Sequence, residues 1–161
     1  MAQFEQRDLW SPVPWPGLYL VTTNSIITRN RHLVMGRGSA REAKQRIPGI
    51  EFEIVEQFHD FKLDGTEDYG FRIIRDPRRA DRFGFGVFQT KRHWKHVAIV
   101  ETIMLSLSTL NDYAERNPDV TIRCPLPAAG CGWIGTGTPP DPDEIRAACE
   151  TLPASVTFCS R

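Results

Sequence analysis

Hydrophobic residues along the chain follow two periods, one typical of strands and one typical of helices. Five runs rich in apolar and β-branched residues predict strands, at 18–23, 71–75, 85–88, 120–124 and 155–159. Three segments with apolar residues on one helical face or with a capping signature predict helices, at 39–48, 97–116 and 141–152. Strands and helices therefore alternate, which is typical of βαβ units and of a largely parallel sheet covered by helices on both faces.

Two capping signatures mark helix starts. Ser39 followed by Glu42 forms a capping box, in which each side chain is predicted to bond the backbone N–H of the other residue. Asp141 followed by Pro142 predicts a second start, with proline at the first helical position.

Length and composition predict one globular domain over residues 1–161. Residues 1–17 are expected to form an arm that packs on the domain through Trp10 and Trp15, because its alternate prolines cannot lie inside a sheet. The apolar share of 40 % excludes a disordered or collagen-like chain. The 20 basic and 20 acidic residues balance, so no net field attracts a polyanion and any such ligand must be met locally.

Cysteine usage and the N-terminal residues predict a cytoplasmic protein. The four cysteines lack C-x-x-C spacing and no histidines are suitably paired with them, so we expect free thiols, no metal site and no cofactor. The first residues contain no apolar core of a secretory signal, and no apolar stretch approaches 18 residues. We therefore expect no membrane contact.

Two predicted strand ends carry glycine loops, and parallel strands bring such ends to one edge of a sheet. Asn24 is followed by a loop and then by glycines at 36 and 38 before a helix, where free N–H groups favour a phosphate. Residues 130–135 have the letters of a dinucleotide fingerprint, but no helix begins at the third glycine, so we reject that interpretation. Each loop alone is also typical of a tight turn; together they are suited to clamp one diphosphate.

A third strand end leads into the basic turn 90–96, Thr-Lys-Arg-His-Trp-Lys-His. From the residues alone, a solvated turn is the commoner interpretation of such a segment. The alternative is a functional turn that brings a cation and an aromatic ring to the edge where the glycine loops lie. There Lys91 would contact phosphate or act as a proton donor or nucleophile.

Four segments, 22–24, 34–40, 88–94 and 127–132, resemble in this order the macro domain family. The resemblance spans residues 18 to 135. It implies an α/β fold of three layers, α/β/α, with a central mixed, largely parallel sheet, and it implies ADP-ribose or an ADP-ribosylated substrate as the partner. The Thr-Lys-Arg-His-Trp segment is most similar to the DarG-like branch, whose members remove ADP-ribose from DNA bases.

The resemblance also implies the site residues. Asn24 and Lys91 match residues implicated in catalysis in that branch, and Asp8 matches an acidic residue that hydrogen-bonds the adenine amino group. The ligand-binding residues implied are Asp8, Asn24, Gly36, Gly38, Ser39, Gly130, Cys131, Gly132, Trp133 and Ile134.

Three positions depart from the family's patterns. Val21 and Ala40 stand where many protein-deacylating members carry Asn and Asp, and Gln89 replaces a proline common in the DarG-like branch. The favoured hypothesis is a hydrolase that removes ADP-ribose from a nucleic-acid base or another acceptor, with local nucleic-acid contact through residues 91–96. The open alternatives are a non-catalytic ADP-ribose reader, an ADP-ribose 1″-phosphate phosphatase and a module that binds another nucleotide.

Overall fold

A computed structural model of the chain describes residues 1–79, 81, 83–127 and 139–160. Within those residues six strands and four helices alternate. In chain order they are β1 Gln3–Gln6, β2 Gly17–Thr23, α1 Gly38–Arg46, α2 Ile50–Glu56, β3 Phe71–Arg75, β4 Gly84–Gln89, α3 Val100–Arg116, β5 Thr121–Pro125, α4 Pro142–Glu150 and β6 Val156–Ser160.

The strands form one sheet in the order β1-β6-β5-β2-β4-β3. Every neighbouring pair is parallel except β3 with β4, which is antiparallel at the sheet edge. The predicted mixed, largely parallel sheet is therefore confirmed. Since β1, β6, β5, β2 and β4 run in one direction, their carboxyl ends lie along the same edge.

Alternate side chains of the strands feed two separate cores, one on each face of the sheet. On one face, Leu18 and Leu20 of β2 pack in a cluster with Ile103 and Leu110 of α3. On the other face, Val21 packs in a cluster that includes the buried residues of α1 and α2. The period of two along the strands thus separates the helices into two layers and gives the predicted α/β/α arrangement.

The N-terminal segment differs from the predicted arm. Gln3–Gln6 forms β1 and pairs with β6, so part of the arm belongs to the sheet. Trp10 packs as expected, stacked on Tyr19 with ring centroids 5.4 Å apart. Trp15 is 68 % exposed, so the prediction that its indole holds the arm down is wrong.

The two helix starts have different outcomes. Asp141 caps α4 by accepting a hydrogen bond of 2.9 Å from the Asp143 N–H, as predicted. The capping box at α1 is wrong, because the helix begins at Gly38 and no side chain caps it. Ser39 Oγ instead accepts a bond of 3.2 Å from the Thr22 N–H of β2, and Glu42 accepts one from the Trp10 indole. Partners on the sheet have displaced the local capping bonds.

Three cysteines, Cys124, Cys149 and Cys159, are free and buried, as predicted for structural thiols. Burial raises the pKa of the Cys149 thiol to about 12, so this group stays protonated and unreactive at neutral pH. Cys131 lies outside the described residues. Among the helices of the described ranges, none is both long enough and apolar enough to cross a bilayer.

Leu110→Ala tests the core beneath the sheet, because Leu110 on α3 is fully buried. The substitution should lower the free energy of unfolding by about 2–5 kcal/mol through lost burial and a cavity. Urea unfolding measures this loss. Leu105→Ala on the same helix is the matched control: its side chain is 39 % exposed, and the expected loss is about 1 kcal/mol or less. Equal losses for the two variants would contradict the assigned helix face.

Candidate functional site

A crevice opens at the carboxyl edge where β2 parts from β5. β2 pairs with β4 as far as Thr23, but its pairing with β5 ends at Tyr19 and Arg123. β5 meanwhile stays with β6 as far as Pro125. Because the chain leaves β2 toward β4 and later returns to its other side, this gap is the topological switch point of the sheet, where open α/β sheets bind ligands.

Helix α1 begins beside this crevice. Gly38 has a φ of 57°, a left-handed conformation that disfavours any residue with a Cβ. Since no side chain caps α1, the N–H groups of its first turn are not used by a capping residue. Gly36 is exposed, and a Cβ built on it would meet nothing within 4 Å. The protein's own packing therefore does not require glycine at 36.

Asn24 directly follows β2 and is buried, with 5 % of its surface exposed. Its Oδ1 accepts a bond of 2.9 Å from the Ile26 N–H, and its Nδ2 donates one of 2.9 Å to the Val34 carbonyl. The amide thus closes the loop that leads to Gly36. A carboxamide has two donors and two acceptor lone pairs, so one of each is left beyond these two bonds.

Asn24 and Lys91 lie at the centre of two adjacent three-residue segments. At one end the Thr90 N–H donates to the Thr23 carbonyl at 3.0 Å. At the other end the Ser25 N–H donates to the Arg92 carbonyl at 3.1 Å. The structure therefore brings together the two residues for which the sequence predicts a catalytic role, with Lys91 half-buried.

Tyr69 lies behind this pair and was missed by the sequence analysis. It is fully buried; its hydroxyl donates to the Asn24 carbonyl at 2.7 Å and shares a hydrogen bond with Thr23 Oγ1. Burial raises the pKa of Tyr69 well above its usual value, so the phenol remains a hydrogen-bond donor. Nothing in the sequence identified it, because it lies in the stretch between α1 and β3, where the apolar pattern is weakest.

Gln89 and Asp68 are two further polar residues that the sequence analysis did not place in the site. Gln89 is completely buried, and its Nε2 lies 3.2 Å from the Lys91 carbonyl. Asp68 accepts two bonds from the Arg92 guanidinium, at 3.0 and 2.9 Å. A third comes from Thr102 Oγ1 at 3.0 Å. The bonds from Arg92 are the main reason that the pKa of Asp68 lies below its usual value.

The basic turn carries an exposed aromatic ring beside Lys91. Trp94 is 45 % exposed, with the His93 ring stacked at 5.6 Å and the Lys95 amine 5.1 Å from its centroid. Partial burial and then the charges of His96 and Lys95 lower the pKa of His93, so its ring is neutral at pH 7.

Asp8 follows β1 at the same carboxyl edge. Its Oδ1 accepts a bond of 3.1 Å from the Trp10 N–H, and it lines a depression of about 520 Å³ together with Glu42 and Arg46. β1 is three strand spacings from β2, about 14 Å. Asp8 thus lies along the edge from Asn24 and does not contact it. The predicted residues Gly130, Cys131, Gly132, Trp133 and Ile134 lie outside the described residues.

A second cleft, of about 880 Å³, lies toward the amino ends of β2 and β4 and is lined by residues including Tyr19, Phe83 and Arg46. None of the predicted site residues lines it, so volume alone does not mark the predicted site. Within the described ranges, no three His, Cys, Asp or Glu side chains are grouped to hold a metal ion.

Comparison with known proteins supports the fold. The structure matches the macrodomain of Thermus aquaticus DarG with a TM-score of 0.68 and 22 % identity, over 100 % of this chain and 98 % of that one. The macrodomain of Mycobacterium tuberculosis DarG matches with a TM-score of 0.64 and 18 % identity, over 99 % and 96 % of the two chains. No protein-family model and no curated protein sequence matches the chain.

A third similar structure is Thermosipho africanus DarTG in complex with ADP-ribose, with a TM-score of 0.55 and 16 % identity. It matches over 90 % of this chain, which spans only 38 % of that longer one. The chain therefore has the fold of a macrodomain. Its structural relatives include the DarG macrodomains, as the resemblance in sequence implied.

Asp68→Asn tests the ion pair beside Lys91. Because the pKa of Asp68 is lower in the folded chain, the folded state binds fewer protons than the unfolded one. The stabilisation is therefore present at neutral pH and is lost as the pH falls through the folded-state pKa. We expect Asp68→Asn to lower the free energy of unfolding by about 1 kcal/mol at pH 7, allowing for solvent screening. The difference should shrink toward about pH 2.

Urea unfolding of both proteins at the two pH values measures this. Asp60→Asn is the control, since Asp60 makes a similar paired contact with Arg72 but lies on the surface. Its effect should be smaller, and a difference for Asp68→Asn that stayed constant with pH would contradict the assignment.

Proposed function

We propose that the chain binds ADP-ribose along the carboxyl edge of its sheet and removes it from an acceptor. The observation that carries the proposal is the juxtaposition of Asn24 and Lys91 beside the uncapped start of α1. A similar structure, DarTG from Thermosipho africanus, is described in complex with ADP-ribose, which supports this ligand.

The diphosphate would be bound by backbone N–H groups. The first turn of α1 offers unsatisfied donors and the positive end of the helix dipole, both of which favour an anion. Gly36 leaves room for a ligand to approach the backbone. The loop containing Gly130 and Gly132 follows β5 across the crevice and would supply donors from the other side, while Asp8 would accept from the adenine amino group.

Asn24 would orient the ribose at the reacting end. Its carboxamide is already fixed by bonds to Ile26 and Val34, so a contact from its remaining N–H costs little side-chain entropy. Holding this ribose fixes the C1″ carbon relative to Lys91, and such positioning accounts for a large part of many enzymatic rate enhancements.

Lys91 would act on the C1″–acceptor bond. As a nucleophile, its neutral amine forms a bond to C1″ while the acceptor leaves with the bonding electrons and takes up a proton; water then releases ADP-ribose and regenerates the amine. As a general acid, its ammonium gives a proton to the leaving atom while water attacks C1″. Only the first route forms a covalent adduct, and an adduct that passes through an imine is trapped by borohydride.

The basic turn favours a nucleic-acid acceptor. Trp94 is exposed beside Lys91, and Lys95 lies over its ring, which together make a surface for stacking a base and contacting a phosphate. Because the chain carries no net charge, such contact would be local. Comparing turnover of ADP-ribosylated DNA, ADP-ribosylated protein and ADP-ribose 1″-phosphate tests this choice of acceptor.

A second candidate function is a reader that binds ADP-ribose without cleaving it. Ala40, buried on α1, favours this candidate, because it stands where the resemblance implies an Asp in many protein hydrolases. A chain without that carboxylate lacks one route to activate water.

Gly36→Val tests the proposed diphosphate site. The new side chain would enter open space, so the fold should keep its stability within about 0.5 kcal/mol. It would occupy the space through which the diphosphate reaches α1, and ADP-ribose affinity should fall at least about tenfold. Calorimetry with ADP-ribose and ADP measures this. In the parent, ADP-ribose should bind more tightly than ADP because of the second ribose. Unchanged affinity in a folded Gly36→Val variant would place the diphosphate elsewhere.

Lys91→Ala separates the enzyme from the reader. Turnover of the preferred ADP-ribosylated substrate should fall about a hundredfold or more, since a proton-transfer group or nucleophile is removed. ADP-ribose affinity should change little, because backbone groups hold the diphosphate. Lys91→Arg keeps the charge but cannot form an imine or readily release a proton, so it should be nearly as inactive. Single-turnover kinetics gives the rates. A parent that binds ADP-ribose but cleaves none of the three substrates would favour the reader.

A further inference from the structure

We infer that Gln89 is a positioning residue for Lys91, an inference that builds on the proposed function. Gln89 is the last residue of β4, two positions before Lys91, and it is completely buried. Its side chain links the Lys91 main chain to the segment 67–69, which precedes β3.

The Gln89 carboxamide uses both of its ends. Oε1 accepts a bond of 2.6 Å from the Tyr69 N–H. Nε2 lies 3.2 Å from the Lys91 carbonyl and 3.3 Å from Asp68 Oδ1. The Glu67 carbonyl lies 3.4 Å away. With two N–H groups for three acceptors, the amide donates to the Lys91 carbonyl and to the 67–69 segment at once.

The same segment also holds Asn24. Tyr69, whose N–H bonds Gln89, donates its hydroxyl to the Asn24 carbonyl at 2.7 Å. Hydrogen bonds therefore run without interruption from the Asn24 carbonyl through Tyr69 and Gln89 to the Lys91 carbonyl. This network is a second connection between the two residues, independent of the backbone bonds that flank them.

Arg92 is held by the same segment. Its guanidinium makes a two-point contact with Asp68, whose carboxylate also accepts from Thr102 of α3. Lys91 is thus fixed at its own carbonyl by Gln89 and at the next residue by Asp68. Since displacement of a reacting group by about 1 Å can cost a hundredfold in rate, such fixing matters more for catalysis than for binding.

The backbone of Gln89 explains why the side chain has this task. The Gln89 N–H donates to the Gly70 carbonyl at 3.1 Å, a bond that a proline at this position could not make. The proline that the resemblance implies here would restrict the chain before Lys91 through its ring. In this chain the restriction comes from a buried carboxamide.

Gln89→Met tests the inference, because methionine has a similar length and removes every side-chain hydrogen bond. Turnover should fall about tenfold to a hundredfold while the ADP-ribose dissociation constant changes less than about threefold. Ser106→Ala is the matched control: its hydroxyl donates to the Gln89 backbone carbonyl at 2.7 Å and leaves the side-chain network intact. It should lower stability and leave turnover within about twofold of the parent.

Gln89→Glu serves where Gln89→Met fails to fold. The glutamate keeps the shape and the acceptor toward Tyr69 but loses the donors toward Lys91, so the same loss of turnover is expected. Unchanged turnover, or a parallel loss of turnover and affinity, in a folded Gln89 variant would overturn the inference.

A measurement that needs no turnover separates this inference from the proposed function. The chain has four lysines, and reductive methylation with ¹³C-formaldehyde gives each a resolvable NMR signal; Lys91→Arg identifies that of Lys91. We expect this signal to shift or broaden in Gln89→Met and to stay unchanged in Ser106→Ala. A parent without turnover whose Lys91 signal depends on Gln89 would refute the hydrolase and support the positioning role. A Lys91 signal that does not respond to Gln89→Met would overturn the positioning role, whatever the turnover.

Discussion

The separation of β2 from β5 is the constraint on which the candidate site depends. A parallel sheet with β2 paired on both sides to its end would leave no gap at the switch point. Here the pairing with β5 stops at Tyr19, and the Thr22 N–H on that side donates to Ser39 of α1 instead. The bond fixes the start of α1 against the crevice. The position that keeps Ser39 from capping its own helix thereby leaves the first-turn N–H groups available to a ligand.

Much of the fold could be predicted because the apolar period is strong where a segment is buried on a sheet face. The central strands and α3 illustrate this, since each presents a regular row of buried side chains to one core. α2 shows the limit. Its sequence, Ile-Glu-Phe-Glu-Ile-Val-Glu, alternates like a strand, yet it folds as a helix that buries Ile50 and Ile54 and leaves Phe52 45 % exposed. Seven residues are too few for the sequence period alone to decide between the two.

The candidate site was predictable only where residues follow strands directly. Asn24 and Lys91 stand at the ends of two neighbouring parallel strands, so topology alone brings them together. Tyr69, Asp68 and Gln89 act through hydrogen bonds that join segments about 20 to 45 residues apart, and no local pattern marks such partners. A neutral total charge likewise hides the local placement of Lys95 over Trp94. The missed residues are buried polar groups, whose roles depend on tertiary contacts.

Binding and catalysis are carried by different elements here, which bears on the choice between reader and enzyme. The α1 start and the glycine loops are suited to hold a diphosphate whatever follows β4. The polar groups behind Lys91 contribute nothing to that contact, yet Gln89 and Tyr69 are buried, and burying polar groups costs free energy unless every donor and acceptor is matched. Their partners are matched here, and the bonds they make converge on the backbone of Asn24 and Lys91. A site that only binds the diphosphate has no need of a fixed lysine at this point, so the network favours the hydrolase.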